Sequence, residues 1–253
     1  VKAIQLLHKS GKTSEAYDIW VKHCKDHDVL MKDVDYVDTL RKIANRLSKE
    51  NRNTNAIQIW ELLEDYRKLA SAHEKLGHLE NAATFWRNVG EQETNLSEQI
   101  KCFSKALELN PDEADCYSLR GWAYFEDKQY DQSMTDYNKA IKHDSNNGDN
   151  YLSRGLIFIR QDNREKAIKD FNRAIKLNSQ NPIYYAVRGA WYKLEGLFQK
   201  ALEDLNNAIL LDDQESEFYR QRGLVYVKKR DFQKAELDYN QANKLGQNND
   251  PDF

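Results

Sequence analysis

The chain has 253 residues, of which 40% are hydrophobic, 31% charged and 11% aromatic, enough apolar surface to fold and too little charge imbalance for disorder. Ten Gly and three Pro are too few for the many turns of a sandwich or barrel, so an all-β fold is excluded. With 38 basic against 41 acidic residues, a net charge of -3 and no basic block, nucleic acid is not an expected partner.

The longest apolar runs, such as Leu156 to Ile159 and Ala208 to Leu211, fall far short of the ~20 residues of a membrane-spanning helix, so no membrane insertion is expected. Cys24, Cys102 and Cys116 form no paired framework, which fits a reducing, cytoplasmic setting. No signal-peptide pattern opens the chain, and its start at Val1 points to a trimmed or processed terminus.

In chain order, Gly11 with Ala16 and Trp20 reads as a turn and a helix. His23, Cys24, His27 and Asp28 place two imidazoles one helical turn apart, but no second cluster completes a metal set, and no metal is expected. Leu40, Ala44 and Leu47, then Ala56, Trp60 and Leu63, fit a helix pair in the frame 37–70, with 24–36 as its approach. From Ala56 through Trp60, Leu63, Tyr66, Ala70 and His73 the apolar stripe continues without a breaker, predicting one long helix that Gly77 ends. Ala82, Phe85 and Trp86 share the next helix, and Ser97 to Asn110 forms another.

From residue 114 onward the periodicity dominates. Gly121, Gly155, Gly189 and Gly223 recur at one constant interval, each after an arginine. Four residues before each glycine stands Tyr117, Tyr151, Tyr185 or Tyr219, and three after it Tyr124, Phe158, Tyr192 or Tyr226, which are helical intervals. A second helix carries Ser133, Ala167, Ala201 or Ala235, and seven residues later Ala140, Ala174, Ala208 or Ala242, with Tyr137, Phe171, Leu205 or Tyr239 between them. Small residues mark close backbone approach and the aromatics fill the space beside them, so each unit is a helix–turn–helix hairpin that needs neighbours to cover its apolar face.

Numbered so that the glycine is the eighth position, the units are 114–147, 148–181, 182–215 and 216–249. This pattern resembles the tetratricopeptide repeat: bulky at position 4, Gly or Ala at 8, aromatic at 11, Ala at 20, aromatic at 24 and Ala at 27. Position 7, usually Leu in the family, is arginine in all four units. Positions 1–113 resemble the family more loosely and read as irregular repeats, the first cut short, with the array expected to begin before Val1. The resemblance implies an all-α, right-handed α-solenoid of six to seven units. Positions 21 and 28 are apolar in the first three units but Glu236 and Asn243 in the fourth, predicting a C-terminal cap, with Lys244 to Phe253 as a loose tail and 250–253 beyond the last unit.

The arginines Arg120, Arg154, Arg188 and Arg222 at position 7 have a matching series at position 23, Asp136, Asp170, Asp204 and Asp238, and a structural ion-pair ladder is expected over ligand binding. Asn138, Asn172, Asn206 and Asn240 repeat at position 25 and read as helix-surface or inter-unit hydrogen bonds. No catalytic set emerges: Gly11-Lys12-Thr13 lacks the first glycine of a phosphate loop, and His73, Glu74 and His78 miss zinc-protease spacing by one residue. No catalytic residue and no cofactor are expected.

In the family, first helices line the concave surface through positions 2, 5, 9 and 12, which form one stripe. Here that stripe is mostly apolar: Trp122, Leu156, Ala190 and Leu224 at position 9, Phe125, Ile159, Lys193 and Val227 at 12, and Ser118, Leu152, Ala186 and Arg220 at 5, with Asp115, Asp149, Ile183 and Glu217 at 2. Asp115 and Asp149 at position 2 would select basic flanks. Either a partner covers this stripe or neighbouring first helices cover it by packing on each other. The resemblance implies a non-catalytic protein-interaction scaffold that binds a partner peptide or helix in the groove. The family's carboxylate clamp for chaperone tails is absent, since positions 2, 5, 6 and 9 hold Asp115, Ser118, Leu119 and Trp122, then Asp149, Leu152, Ser153 and Leu156. The alternatives are an RNA-processing scaffold of half-repeats, prompted by Trp20, Trp60 and Trp86 in second helices, and the regulatory array of a larger enzyme.

Overall fold

The computed structural model describes residues 2–23 and 34–248, and among them every regular element is an α-helix. Val1, Cys24, His27, Asp28 and residues 249–253 lie outside the described residues, as does the side chain of His23. Two compact units divide the chain, Val1–Gln129 and Tyr130–Phe253, the boundary falling inside the segment 114–147.

The first unit holds α1 (Lys2–Lys9), α2 (Thr13–His23), α3 (Val34–Lys49), α4 (Asn53–Leu62), α5 (Tyr66–Leu76), α6 (Leu79–Gln92), α7 (Leu96–Leu109) and α8 (Ala114–Glu126). Its main core gathers Ile4, Trp20, Tyr36, Leu40, Leu47 and Trp60 from the first four helices. The indole N–H of Trp20 donates to the Tyr36 hydroxyl at 3.2 Å, so this aromatic centre is oriented as well as buried.

The long helix expected from Ala56 to Gly77 is instead two helices, α4 and α5. Glu64 takes a left-handed φ of 51°, and the Asp65 carboxylate accepts from Lys68 N at 3.1 Å, capping a fresh start. An N-cap aspartate competes with continued helix by bonding orphan amides, and here it prevails over an unbroken apolar stripe. Gly77, at φ 75°, ends α5 as expected. The approach segment also differs, since α3 begins at Val34 and its Tyr36 is fully buried.

The second unit holds α9 (Tyr130–His143), α10 (Gly148–Arg160), α11 (Arg164–Leu177), α12 (Pro182–Leu194), α13 (Phe198–Leu211), α14 (Ser216–Lys228) and α15 (Phe232–Asn248). The pairs α10/α11, α12/α13 and α14/α15 pack through the position-8 glycine. A Cβ at Gly155 would come within 2.5 Å of the Phe171 ring, and one at Gly223 within 3.0 Å of the Tyr239 ring. These glycines therefore exist for close approach. The first unit uses the same device: a Cβ at Gly90 on α6 would lie 2.6 Å from the Phe103 ring on α7. Trp86, on α6, follows the left-handed Gly77 turn, and its indole N–H donates to Glu74 on α5 at 2.5 Å.

The C-terminal helix runs further than the tail expectation allowed. Ala235, Asp238, Ala242 and Leu245 recur at three- and four-residue steps and are all buried, which carries α15 through Asn248. Glu236 and Asn243 are exposed.

Candidate functional site

Two residue sets repeat through the second unit, and they do different work. The first is built on position 7. Arg154 donates through Nε and Nη2 to the two carboxylate oxygens of Asp170 at 2.8 and 2.9 Å, and through Nη1 to Asn138 Oδ1 at 2.8 Å. Arg188 repeats this with Asp204 at 2.8 and 2.7 Å and Asn172 at 2.5 Å, and Arg222 with Asp238 at 2.9 and 2.6 Å and Asn206 at 2.8 Å. Each guanidinium thus ties its own helix to the following one and to the one before.

The fork is planar and bidentate, the geometry in which an arginine–carboxylate pair is strongest. The Asp238 bond holds the Arg222 pKa above the ordinary arginine value, against burial. Aromatic rings flank the fork: Arg154 lies 5.5 Å from the Tyr151 ring centroid and 5.9 Å from Phe158, and Arg188 lies 6.0 and 5.8 Å from Tyr185 and Tyr192. A lysine also lies over the second ring, Lys166 over Phe158 at 5.4 Å, Lys200 over Tyr192 at 5.6 Å and Lys234 over Tyr226 at 5.5 Å. That lysine series recurs at the same interval as the glycines, a signal the sequence reading passed over.

In the first unit, Arg120 lies 5.8 Å from each of the Tyr117 and Tyr124 rings and donates to Ser104 Oγ at 3.0 Å. Ser104 stands where the later repeats have asparagine. Asp136, on α9, is buried.

The second set is the stripe at positions 2, 5, 9 and 12. The first helices of the second unit are neighbours. Tyr184 on α12 donates its hydroxyl to Asp149 Oδ1 on α10 at 2.8 Å, and Lys193 on α12 donates to Gln221 on α14. Burial and the Asp149 bond raise the Tyr184 pKa to about 12, so the phenol stays protonated as the donor.

Coverage of the stripe is uneven. Leu152 is buried, 9% exposed, in a cluster with Phe171, Tyr184 and Trp191, and Leu156 and Ile159 are half-buried against that cluster. Ala190 is half-buried, whereas Leu224 and Val227 on α14 remain 38% and 37% exposed. Packing of neighbouring first helices therefore hides the α10 end and leaves the α14 end open. Asp149 is exposed while bonded to Tyr184. In the first unit, Trp122 on α8 is 47% exposed and stacks on Phe125 with centroids 5.6 Å apart; Asp115, on the same helix, is exposed.

Among the described residues no group of three or more His, Cys, Asp or Glu could hold a metal ion, and no helix is long and apolar enough to cross a membrane.

Residues 114–147 and 148–181 each match a family model of the tetratricopeptide repeat. No curated protein matches the sequence. Among solved structures, residues 41-end of MamA from Desulfovibrio magneticus RS-1 share 17% identity at a TM-score of 0.57, over 66% of this chain and 97% of that one. YrrB, described as a TPR protein with an unusual peptide-binding site, shares 22% identity at a TM-score of 0.52, over 68% of this chain and 86% of its own. The APC/C hetero-tetramer Cut9-Hcn1 aligns with 94% of this chain at 19% identity and a TM-score of 0.60, the match spanning 51% of that larger chain. At these identities the likeness is one of fold.

Proposed function

Residues 114–181 being tetratricopeptide repeats, we propose that the chain is a non-catalytic protein-interaction scaffold whose partner segment lies along the first-helix face of α10, α12 and α14. The observation that carries this reading is the exposed apolar end of the stripe. Leu224 and Val227 face solvent from a helix that also buries Phe218 and Val225, so α14 has two apolar sides where a surface helix needs one. Leu156, Ile159 and Ala190 extend the contact, with Leu152 as its buried floor. Asp149, at the N-terminal edge of the face, meets basic residues flanking the segment. On α8, Trp122 and Phe125 form an anchor of their own beside Asp115, the aromatic type of residue that dominates binding energy in interfaces.

The test is capture by the immobilised chain. Wild type is compared with Leu224→Glu plus Leu156→Glu, with Trp122→Ala, and with Leu237→Glu, which alters an exposed leucine on α15 off this face. Loss of bound protein with the first two and retention with the third is expected. Equal capture by wild type and the face variants would show the assignment to be wrong.

A further inference from the structure

The stripe changes character in its middle. On α12, Ala186 and Ala190 occupy the positions that Leu152 and Leu156 fill on α10, and both alanines are half-buried. At position 12, one turn beyond Ala190, α10 has Ile159 and α14 has Val227, but α12 has Lys193, and it is half-buried. A lysine ammonium next to apolar surface is unfavourable unless something neutralises it.

The structure gives Lys193 little to answer its charge. Its ammonium, with three protons to donate, bonds the neutral carbonyl of Gln221 and forms no ion pair among the described residues. The carboxylate that acts on it is engaged elsewhere: Glu217 Oε1 accepts from Gln221 Nε2 at 2.5 Å and Oε2 accepts from Arg220. Burial pushes the Lys193 pKa below the ordinary lysine value; Glu217 opposes this and Lys228 adds to it. Two cations, Lys193 and Lys228, thus stand at the C-terminal ends of α12 and α14, while Asp149 and Glu217 stand at the N-terminal ends of α10 and α14. About ten residues of helix, roughly 15 Å, separate the two edges.

Resting on the reading of this face as a partner site, we infer that Lys193 selects the charge of the bound segment, which carries an acidic side chain beside its apolar anchors. The apolar residues pack over the small Ala186 and Ala190 and reach Leu224 and Val227, and the carboxylate completes the coordination of Lys193. A phosphate polymer would satisfy the charge but would leave that apolar surface uncovered, so the occupant is a peptide.

The probe is a fluorescein-labelled, alanine-based peptide with leucines at i, i+4 and i+7 and a glutamate at i+11, together with its glutamine and lysine counterparts. Each is titrated with the full chain and followed by fluorescence anisotropy. The glutamate peptide is expected to bind about tenfold tighter than the glutamine one, with the lysine peptide weakest. Lys193→Met should level the three, and Lys193→Arg should keep the order; circular dichroism checks that both variants remain folded. Equal binding of the glutamate and glutamine peptides to wild type, or a preference that survives in Lys193→Met, overturns the role of Lys193 while leaving the partner face standing. If none of the peptides binds, the face itself is lost and the selector with it. If oligo(U) displaces the glutamate peptide and Lys193→Met abolishes that displacement, the cation reads phosphate and the inference is overturned.

Discussion

Gly90 in the first unit and Gly155 in the second meet an aromatic ring in the same way, yet Phe103 follows its glycine over a shorter stretch of chain than Phe171 does. The packing device is shared, and what differs is the length of chain between its two halves. In the second unit a left-handed residue, Asp162, Gly196 or Arg230, stands two positions before α11, α13 and α15, so each hairpin turns identically. In the first unit such residues precede α2, α4, α5 and α6, whereas Glu93 leaves α6 extended before α7. The arginine fork repeats three times in the second unit, and in the first Arg120 bonds Ser104 where the later arginines bond asparagine.

Breaking the fork should have the largest effect. Asp170→Ala leaves a partly buried guanidinium without its carboxylate and is expected to cost about 3 kcal/mol, read by urea unfolding. Replacing Arg154 and Asp170 together by Leu should recover much of that loss, since removing both charges spares the unpaired one. Next comes the glycine contact. Gly155→Ala and Gly90→Ala should each cost about 1 to 3 kcal/mol, because the Phe171 and Phe103 rings are themselves buried and cannot swing away. Gly223→Ala should be near neutral, since Tyr239 is only half-buried and can yield while helix propensity gains about 1 kcal/mol.

Acid should separate the units by a smaller amount. In the first unit, burial lowers the pKa of His73, with His78 adding to it, and burial lowers that of His8, with Arg46 and Lys42 adding. His73 Nδ1 lies 3.3 Å from His78 Nδ1 and its ring stacks on Phe85, so a second proton there has nowhere favourable to go. Unfolded histidine takes up its proton as pH falls through about 6.5, before the folded groups do, so stability is full above that pH and declines below it. Urea unfolding at pH 7.5 and 5.5 should show the loss, and His73→Phe should reduce it; an unchanged pH dependence in that variant would remove His73 as its source. The smallest effect is local. Glu64→Gly is expected to raise stability by a few tenths of a kcal/mol, measured by thermal unfolding, because the left-handed conformation suits glycine, although part of the gain is lost to the freer unfolded chain.

The sequence by itself determined the helical hairpins, their constant period and the matched arginine, aspartate and asparagine series, because all of these are written in residues at fixed local spacing. It located the end of α5 at Gly77, where glycine announces a left-handed turn, but not the break at Glu64, where glutamate announces nothing. Within the candidate face it set out a stripe at positions 2, 5, 9 and 12, yet it could not decide which of its residues remain open. Only the tertiary structure decided that, burying Leu152, leaving Leu224 and Val227 to solvent and half-burying Lys193 against Gln221 of α14. Exposure depends on the size of side chains contributed by helices a whole repeat apart, and no local pattern carries that information.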